Sequence, residues 1–331
     1  MAEIDFLSEY SSEVNSWIDN YMSSKNKPHV VYGLIKEFLS LGGKRFRPAL
    51  CMISAEMLGK KKNYALPVSC SIELFHNFTL IHDDIEDGSE IRRGKPCLHH
   101  KYGIPLAINA GDGLFILVWD ILSNLPYDFE TCSRLQKMLV STYRKVLDGQ
   151  GIELSWIKEN KWDIKERDYY AMVYGKTASL IEGALVAGGI IAQADDKMLR
   201  ALSEFGKLIG IGFQIQDDYL NIVGDEKKYK KEIGGDITEG KRTLMTIHAL
   251  SNLSGSDAAK LKKILSMHTR DHSLILEAIH LLKKAGSTEY AKQKAEKCIN
   301  DALEIASTSF PKNLYSKRLI EIAKYLVSRE S

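Results

Sequence analysis

Residues 202–219 read LSEFGKLIGIGFQIQDDY, and the positions Leu202, Phe205, Leu208, Ile209, Gly212, Ile215 and Tyr219 recur at three- and four-residue spacing. That is the stripe of one helical face, and it runs into a pair of aspartates, Asp217 and Asp218. The same period fills the stretches between the seven prolines, Pro28, Pro48, Pro67, Pro96, Pro105, Pro126 and Pro311, which fall where a helix begins or a loop runs. Period-two alternation is scarce. Gly286 reads as a helix stop with Ser287 and Thr288 as the next N-cap, and Pro311 opens a last amphipathic segment ending near Leu326. The pattern predicts an all-α chain of about a dozen helices. There is no low-complexity linker and no fixed-period repeat, and the chemically interesting clusters are scattered from residue 42 to residue 242, so one domain over 1–331 is expected.

The composition, 44% hydrophobic and 27% charged over 331 residues, is that of a folded globular chain and excludes intrinsic disorder. With 45 Lys+Arg against 43 Asp+Glu, no whole-molecule field draws nucleic acid or an anionic membrane, so any anion site has to be local. The five cysteines, Cys51, Cys70, Cys97, Cys132 and Cys298, are odd in number and contain no C-x-x-C, which argues against a disulfide framework and for a reducing compartment. The N-terminal stretch is acidic and amphipathic, unlike an export signal. The apolar runs Leu114–Trp119 and Ala184–Ala192 are far shorter than the roughly 20 residues that cross a bilayer, so a cytoplasmic protein without a transmembrane segment is expected.

In LIHDDIEDGSEIRRG, residues 80–94, Asp83 and Asp87 are four apart, so a helix puts them on one face with Asp84 alongside. Like charges this close repel unless solvent or a divalent ion neutralises them. A solvated acidic face is the bland alternative, but Phe75, Phe78, Leu80 and Ile81 keep the preceding helix apolar right up to the acids, which a solvated face does not require. The second cluster, Asp217 and Asp218 with Asn221 at the third position, again ends an apolar helix. Two such faces suit hard, oxygen-liganded Mg²⁺ bridging protein and diphosphate. Bases for that anion occur in local groups: Lys44, Arg45 and Arg47 on a glycine-started turn, Arg92 with Arg93, Lys176 with Thr177, Lys231, and Lys241 with Arg242. Taken singly each reads as a solvated surface base, as Lys60 to Lys62 and Lys227 to Lys228 do. Glu73 with His76 and Glu277 with His280 spell E-x-x-H twice, the minimum signature of a di-iron helical protein, which leaves the basic and aspartate motifs unexplained.

Together GGKRFRP (42–48), DDIED (83–87), RRG (92–94), GQ (149–150), KT (176–177), FQIQDDYLN (213–221) and DITEGKRTL (236–244) resemble the trans-prenyl diphosphate synthases, in the family's order from about residue 40 to 250. The geranylgeranyl diphosphate synthases are closest in appearance. The resemblance implies one all-α bundle of the isoprenoid synthase type around a deep central cavity, working as a homodimer with two or three Mg²⁺ ions between the acidic motifs. It implies metal ligation by Asp83, Asp87 and Asp217, and a catalytic set of Asp83, Asp84, Asp87, Lys176, Asp217, Asp218 and Lys241. Lys44, Arg47, His76 and Arg93 match the isopentenyl diphosphate site, and Arg92, Lys176, Thr177, Gln214, Lys231 and Lys241 the allylic diphosphate site. Asn221 departs from the third aspartate and Glu153 from the aspartate that usually follows GQ.

The implied reaction pulls diphosphate from an allylic carbon (dimethylallyl, geranyl or farnesyl diphosphate), adds isopentenyl diphosphate head to tail, and loses a proton to the released diphosphate. No nucleophilic Ser or Cys is needed. The family resemblance makes Phe78 the stop near a twenty-carbon product, with Thr79 permitting more than fifteen carbons and Phe75 a second plug. On an ideal helix Phe78 lies about 140° around from Asp83 and Phe75 and Thr79 nearer its face, and core packing explains both phenylalanines equally well. Rivals are a farnesyl or longer-chain synthase, a terpene cyclase, and a non-catalytic regulatory subunit.

Overall fold

The structure is a computed structural model and describes residues 5–224 and 233–328. Among these the helices are α1 (Asp5–Ser23), α2 (His29–Ser40), α3 (Phe46–Met57), α4 (Lys62–Glu86), α5 (Leu98–Tyr102), α6 (Ile104–Ser123), α7 (Phe129–Lys158), α8 (Glu166–Val173), α9 (Ser179–Ile191) and α10 (Asp196–Val223). They continue as α11 (Gly235–Thr238), α12 (Leu244–Asn252), α13 (Gly255–Ser266), α14 (His272–Lys284), α15 (Ser287–Ser309) and α16 (Leu314–Ser328). A π-helical turn, Tyr174–Ala178, separates α8 from α9. The described strands are two-residue pieces, β1 (Ile91–Arg92) and β2 (Lys95–Pro96), paired antiparallel. The fold is all-α, as the periodicity predicts, and the helices beyond a dozen include one-turn pieces such as α5 and α11 that have no period to read.

The helices gather into two compact units, the first formed by residues up to Leu139 with Ala184–Leu199 and Asn313–Ser316, the second by Val140–Gly183, Arg200–Lys312 and the residues from Lys317. In the first unit α4 packs between α3 and α6, burying Val68, Ile72, Leu74, Phe75, Phe78 and Ile81. Pro67 sits inside α4, not at its start. Its second-turn position gives up one intrahelical hydrogen bond, which the packing of so long a helix offsets. In the second unit Ile211 and Ile215 of α10 join Leu244, Met245, Ile264, Leu282 and Ala295 in one core. The stripe at Leu202, Phe205, Ile209 and Ile215 is buried as the spacing requires. Thr243, Ser254 and Asp271 cap α12, α13 and α14 through side-chain oxygens. At α15 the expected Ser287 or Thr288 cap is instead Gly286, left-handed at φ +68°, with Ser287 already helical. A glycine that ends one helix in the left-handed region can start the next directly.

Among the described residues one helix, α6, is long and apolar enough to cross a membrane. The expectation weighed only its central run, whereas Ile104, Leu106 and Ile108 extend it. Its inner face, with Ala107, Ala110, Leu114 and Val118, is buried in the first unit.

Candidate active site

The first acidic cluster is the C-terminal end of α4. Asp87 is the C-cap and its N–H donates to Asp83 O at 2.8 Å, so the two aspartates stand one turn apart. Both are half-buried, whereas Asp84 is 1% exposed. Arg92 answers the buried charge: its Nε donates to Asp84 Oδ1 at 2.8 Å and its Nη2 donates to the same oxygen. A hairpin makes this contact, with β1 and β2 joined through Arg93 (φ +52°) and Gly94 (φ +76°). Two consecutive left-handed residues are the tight turn that matches strand twist. Against burial, which lowers it, the Asp84 hydrogen bond raises the Arg92 guanidinium above its usual value. The Cys97 thiol, buried beside the same carboxylate, is pushed up to about 12.

The glycine-started turn lies in the same unit. Gly43, at φ +140°, lies under the Arg93 guanidinium, and a Cβ there would stand 2.8 Å from Arg93 Nη2. Arg93 Nη1 donates to Gly42 O. Arg47 Nη1 lies 3.2 Å from His76 Nε2. A guanidinium has no acceptor, so the imidazole accepts there and its proton belongs on Nδ1. Burial, then Arg47, Arg93 and Arg92, push His76 well below its ordinary value and keep it neutral. Burial draws Arg47 down to about 10. Arg47, His76 and Arg93 are thus brought together, with exposed Lys44 next to Gly43.

The second cluster belongs to the second unit. Gly149 and Gly175 are in backbone contact: a Cβ on Gly149 would collide with the Lys176 nitrogen, and one on Gly175 would stand 2.8 Å from Lys145 O. This close approach coincides with the π-helical turn that carries Lys176 and Thr177. Lys176 ion-pairs with Glu153. Burial alone would raise Glu153, but Lys176 and Lys241 hold it below the usual carboxylate range. Thr177 Oγ1 donates to Gln214 Oε1 at 2.8 Å, and Gln214 Nε2 donates to Asp218 Oδ1 at 2.8 Å. Tyr169 OH donates to Asp218 Oδ2 at 2.8 Å. Burial nonetheless pushes Asp218 up to about 7 and, beside it, Asp236 well above its ordinary value. Lys241 stands 3.7 Å from Asp236 and pairs with Glu239. Asn221 Oδ1 accepts the Asp236 N–H at 3.0 Å, so this side chain is engaged with the backbone of α11.

A family description, polyprenyl synthetase, matches residues 28–282. A short chain isoprenyl diphosphate synthase of Methanothermobacter thermautotrophicus is 36% identical over 333 aligned positions, covering 100% of this chain and 99% of its own. A geranylgeranyl diphosphate synthase of Methanosarcina mazei is 34% identical and likewise covers 100% of this chain and 99% of its own. The solved structure of a geranylgeranyl pyrophosphate synthetase from Pyrococcus horikoshii Ot3 superimposes with a TM-score of 0.91 at 34% identity, covering 98% of each chain. The chain belongs to the polyprenyl synthetase family.

Polyprenyl synthetases in general use Mg²⁺. No three described His, Cys, Asp and Glu side chains converge to hold a metal ion alone. Asp83 and Asp87, half-buried and one turn apart, fit Mg²⁺, which takes one or two carboxylates from a protein and fills its octahedron with water and substrate phosphate. Of the expected residues, Arg92 lies in the first unit bound to Asp84, and Lys231 lies outside the described residues. A cavity of about 410 Å³ lined by Ser24, Lys25, Asn26, Lys27 and Tyr32 contains none of them. Phe75 is fully buried and Phe78 is 9% exposed; their ring centroids are 5.5 Å apart, and Phe115 of α6 lies 5.3 Å from Phe78. Thr79 Oγ1 donates back to His76 O at 2.8 Å. Glu73, half of the E-x-x-H reading, is instead ion-paired to Arg45 at 2.7 Å. The sequence reading missed Tyr169 and Asp236, and it misread Arg45 and Arg242 as phosphate ligands or surface bases; both are buried on protein oxygens. For Asp236 a signal was available, an acid five residues before Lys241 in the same motif.

Proposed function

We propose that this polyprenyl synthetase condenses isopentenyl diphosphate with dimethylallyl, geranyl or farnesyl diphosphate, head to tail, to give geranylgeranyl diphosphate. The observation that carries the reading is that each acidic cluster sets a half-buried aspartate, Asp83 or Asp217, next to a buried one held by protein donors, Arg92 on Asp84 and Gln214 with Tyr169 on Asp218. Lys44, Arg47, neutral His76 and Arg93 hold the isopentenyl diphosphate group, with the proton on His76 Nδ1. Lys176, Thr177, Gln214 and Lys241, with Arg92 and Lys231, serve the allylic diphosphate, and Glu153 keeps Lys176 in place. Asp83, Asp87 and Asp217 would hold two or three Mg²⁺ ions, which when bound neutralise the diphosphate and make it a better leaving group. Asp84 and Asp218 act from behind, each fixed by protein donors. With no nucleophile engaged, these charges supply the rate, and the departing diphosphate is the base for the final proton.

The 331 residues are read as one catalytic domain, a reading supported by the single family description that runs over residues 28–282. A homodimer is part of the proposal, supported by the exposed Ile104, Ile108 and Ile116 on α6, and a cytoplasmic location is supported by five free cysteines. Incubation with Mg²⁺, labelled isopentenyl diphosphate and each allylic starter tests the function. A linear twenty-carbon alcohol after dephosphorylation is expected; a fifteen-carbon or longer product corrects the length, and no condensation from any starter contradicts the reading. Phe78 sets the length in this account, so Phe78→Ala should lengthen the product, and an unchanged product places the stop elsewhere.

A further inference from the structure

Two Lys–Arg doublets occur in the motifs assigned to substrate, Lys44–Arg45 and Lys241–Arg242, and burial splits both. Lys44 is exposed and the Lys241 side chain 19% exposed, whereas Arg45 is 4% and Arg242 3% exposed. Arg45 has left-handed backbone, φ +45°, and each nitrogen of its guanidinium donates a hydrogen bond. Nε donates to Asn15 Oδ1 at 2.9 Å, Nη1 to Glu73 Oε1 at 2.7 Å and Nη2 to Leu39 O at 3.0 Å. One side chain therefore ties α1, the end of α2 and the middle of α4 to the residue that starts α3. Glu73 is itself held, its Oε1 also accepting Asn77 Nδ2 at 2.9 Å. Arg47 follows Arg45 by two residues and His76 follows Glu73 by three, so this strut fixes where Arg47 meets His76.

Arg242 is built differently for the same end. Its Nε donates to Lys161 O at 3.1 Å, Nη2 to Asn160 Oδ1 at 2.9 Å and Nη1 to Gly240 O, and the group lies 4.0 Å from the Trp162 ring centre. All its acceptors are neutral, and they pin the loop before α8 to the residue preceding Lys241.

We propose that each doublet divides its labour: the lysine serves a diphosphate, and the arginine is a positioning residue, Arg45 for the isopentenyl diphosphate site and Arg242 for the allylic one. This rests on the function proposed above. The rigid five-donor fork of arginine can meet three acceptors in three directions, which an ammonium on a flexible stem cannot reproduce. A misplacement of about 1 Å caused by a residue away from the chemistry can cost roughly a hundredfold in catalysis, so the signature is a loss confined to one substrate.

The test is steady-state kinetics on the full chain, with KM determined separately for the two substrates and unfolding midpoints recorded alongside. Arg45→Lys should raise KM for isopentenyl diphosphate at least about tenfold and leave the allylic KM within about twofold; Arg242→Lys should do the reverse. The double variant Arg45→Met, Glu73→Leu removes the buried pair and refills its space, which restores stability in other proteins. Here its midpoint should recover while KM for isopentenyl diphosphate stays raised. Equal shifts in both KM values for both arginine variants, or recovery of KM together with stability in the double variant, overturns the proposal. If Arg45→Lys fails to fold, the same selective rise is required of Asn15→Ala, which removes one of the three contacts. A wild-type chain that condenses nothing refutes the function itself, and wild-type turnover with unselective variants refutes only this inference.

Discussion

At the end of α4, Asp83 is half-buried while the next residue, Asp84, is 1% exposed and tied to Arg92; in α10, Asp217 is half-buried while Asp218 is 7% exposed and tied to Tyr169 and Gln214. Successive helical residues point about 100° apart, so the two carboxylates of an aspartate pair leave the helix in different directions. In each cluster the first acid is half-buried, where the proposed cation would meet it, and the second is fixed by protein donors. The difference lies in what meets the buried charge. Asp84 has a guanidinium. Asp218 has a phenol and an amide, which carry no charge, and burial raises it to about 7 despite them. The buried acid of the first cluster is therefore neutralised from within, and that of the second depends on a proton or a cation.

Removing the outward acids separates the clusters from the core most sharply. Asp83→Ala and Asp217→Ala are each expected to lower turnover at least about a hundredfold. Helical circular dichroism should be unchanged in both; near-normal turnover in either variant breaks the equivalence. The inward acids come next. Arg92→Gln strands a buried carboxylate and should cost about 3–5 kcal/mol of stability by denaturant unfolding. Tyr169→Phe should cost about 1–2 kcal/mol, because Asp218 keeps Gln214 and can take up a proton. Equal losses would erase the distinction between an ionic and a neutral partner.

The pH dependence is a gentler probe. In metal-free protein Asp218 titrates near 7 when folded and near 3.8 when unfolded, so the folded state binds the extra proton. Its contribution to stability is full below about pH 4 and is lost as pH rises through 7, at up to about 1.4 kcal/mol per pH unit. Asp218→Asn should flatten that slope in EDTA; a slope retained in the variant assigns it to another group, of which Asp236 is the first to examine.

The helical class was legible because the stripe from Leu202 to Ile215 repeats over several turns, and Asp83 with Asp87 because their spacing equals one turn. The inward turn of Asp84 was not legible. It depends on a hairpin whose strands are two residues long, too short for any alternation to register, and on Arg93 adopting positive φ without being glycine. The approach of Gly149 to Gly175 joins residues 26 apart in sequence, and only packing reveals why both lack a side chain. Arg45 was misread for a related reason. In GGKRFRP three cations stand in four positions, and which of them turns inward is decided by Asn15, Leu39 and Glu73.

Both clusters, with their different interiors, are proposed to hold divalent cations on a diphosphate. Calorimetric titration of Mg²⁺ into the protein, in the presence of an unreactive thio-analogue of an allylic diphosphate, tests it directly, using the wild type, Asp83→Ala and Asp217→Ala. The account predicts that each variant binds fewer Mg²⁺ ions, or binds them at least about tenfold more weakly, than the wild type. Wild-type stoichiometry and affinity in either variant would contradict it.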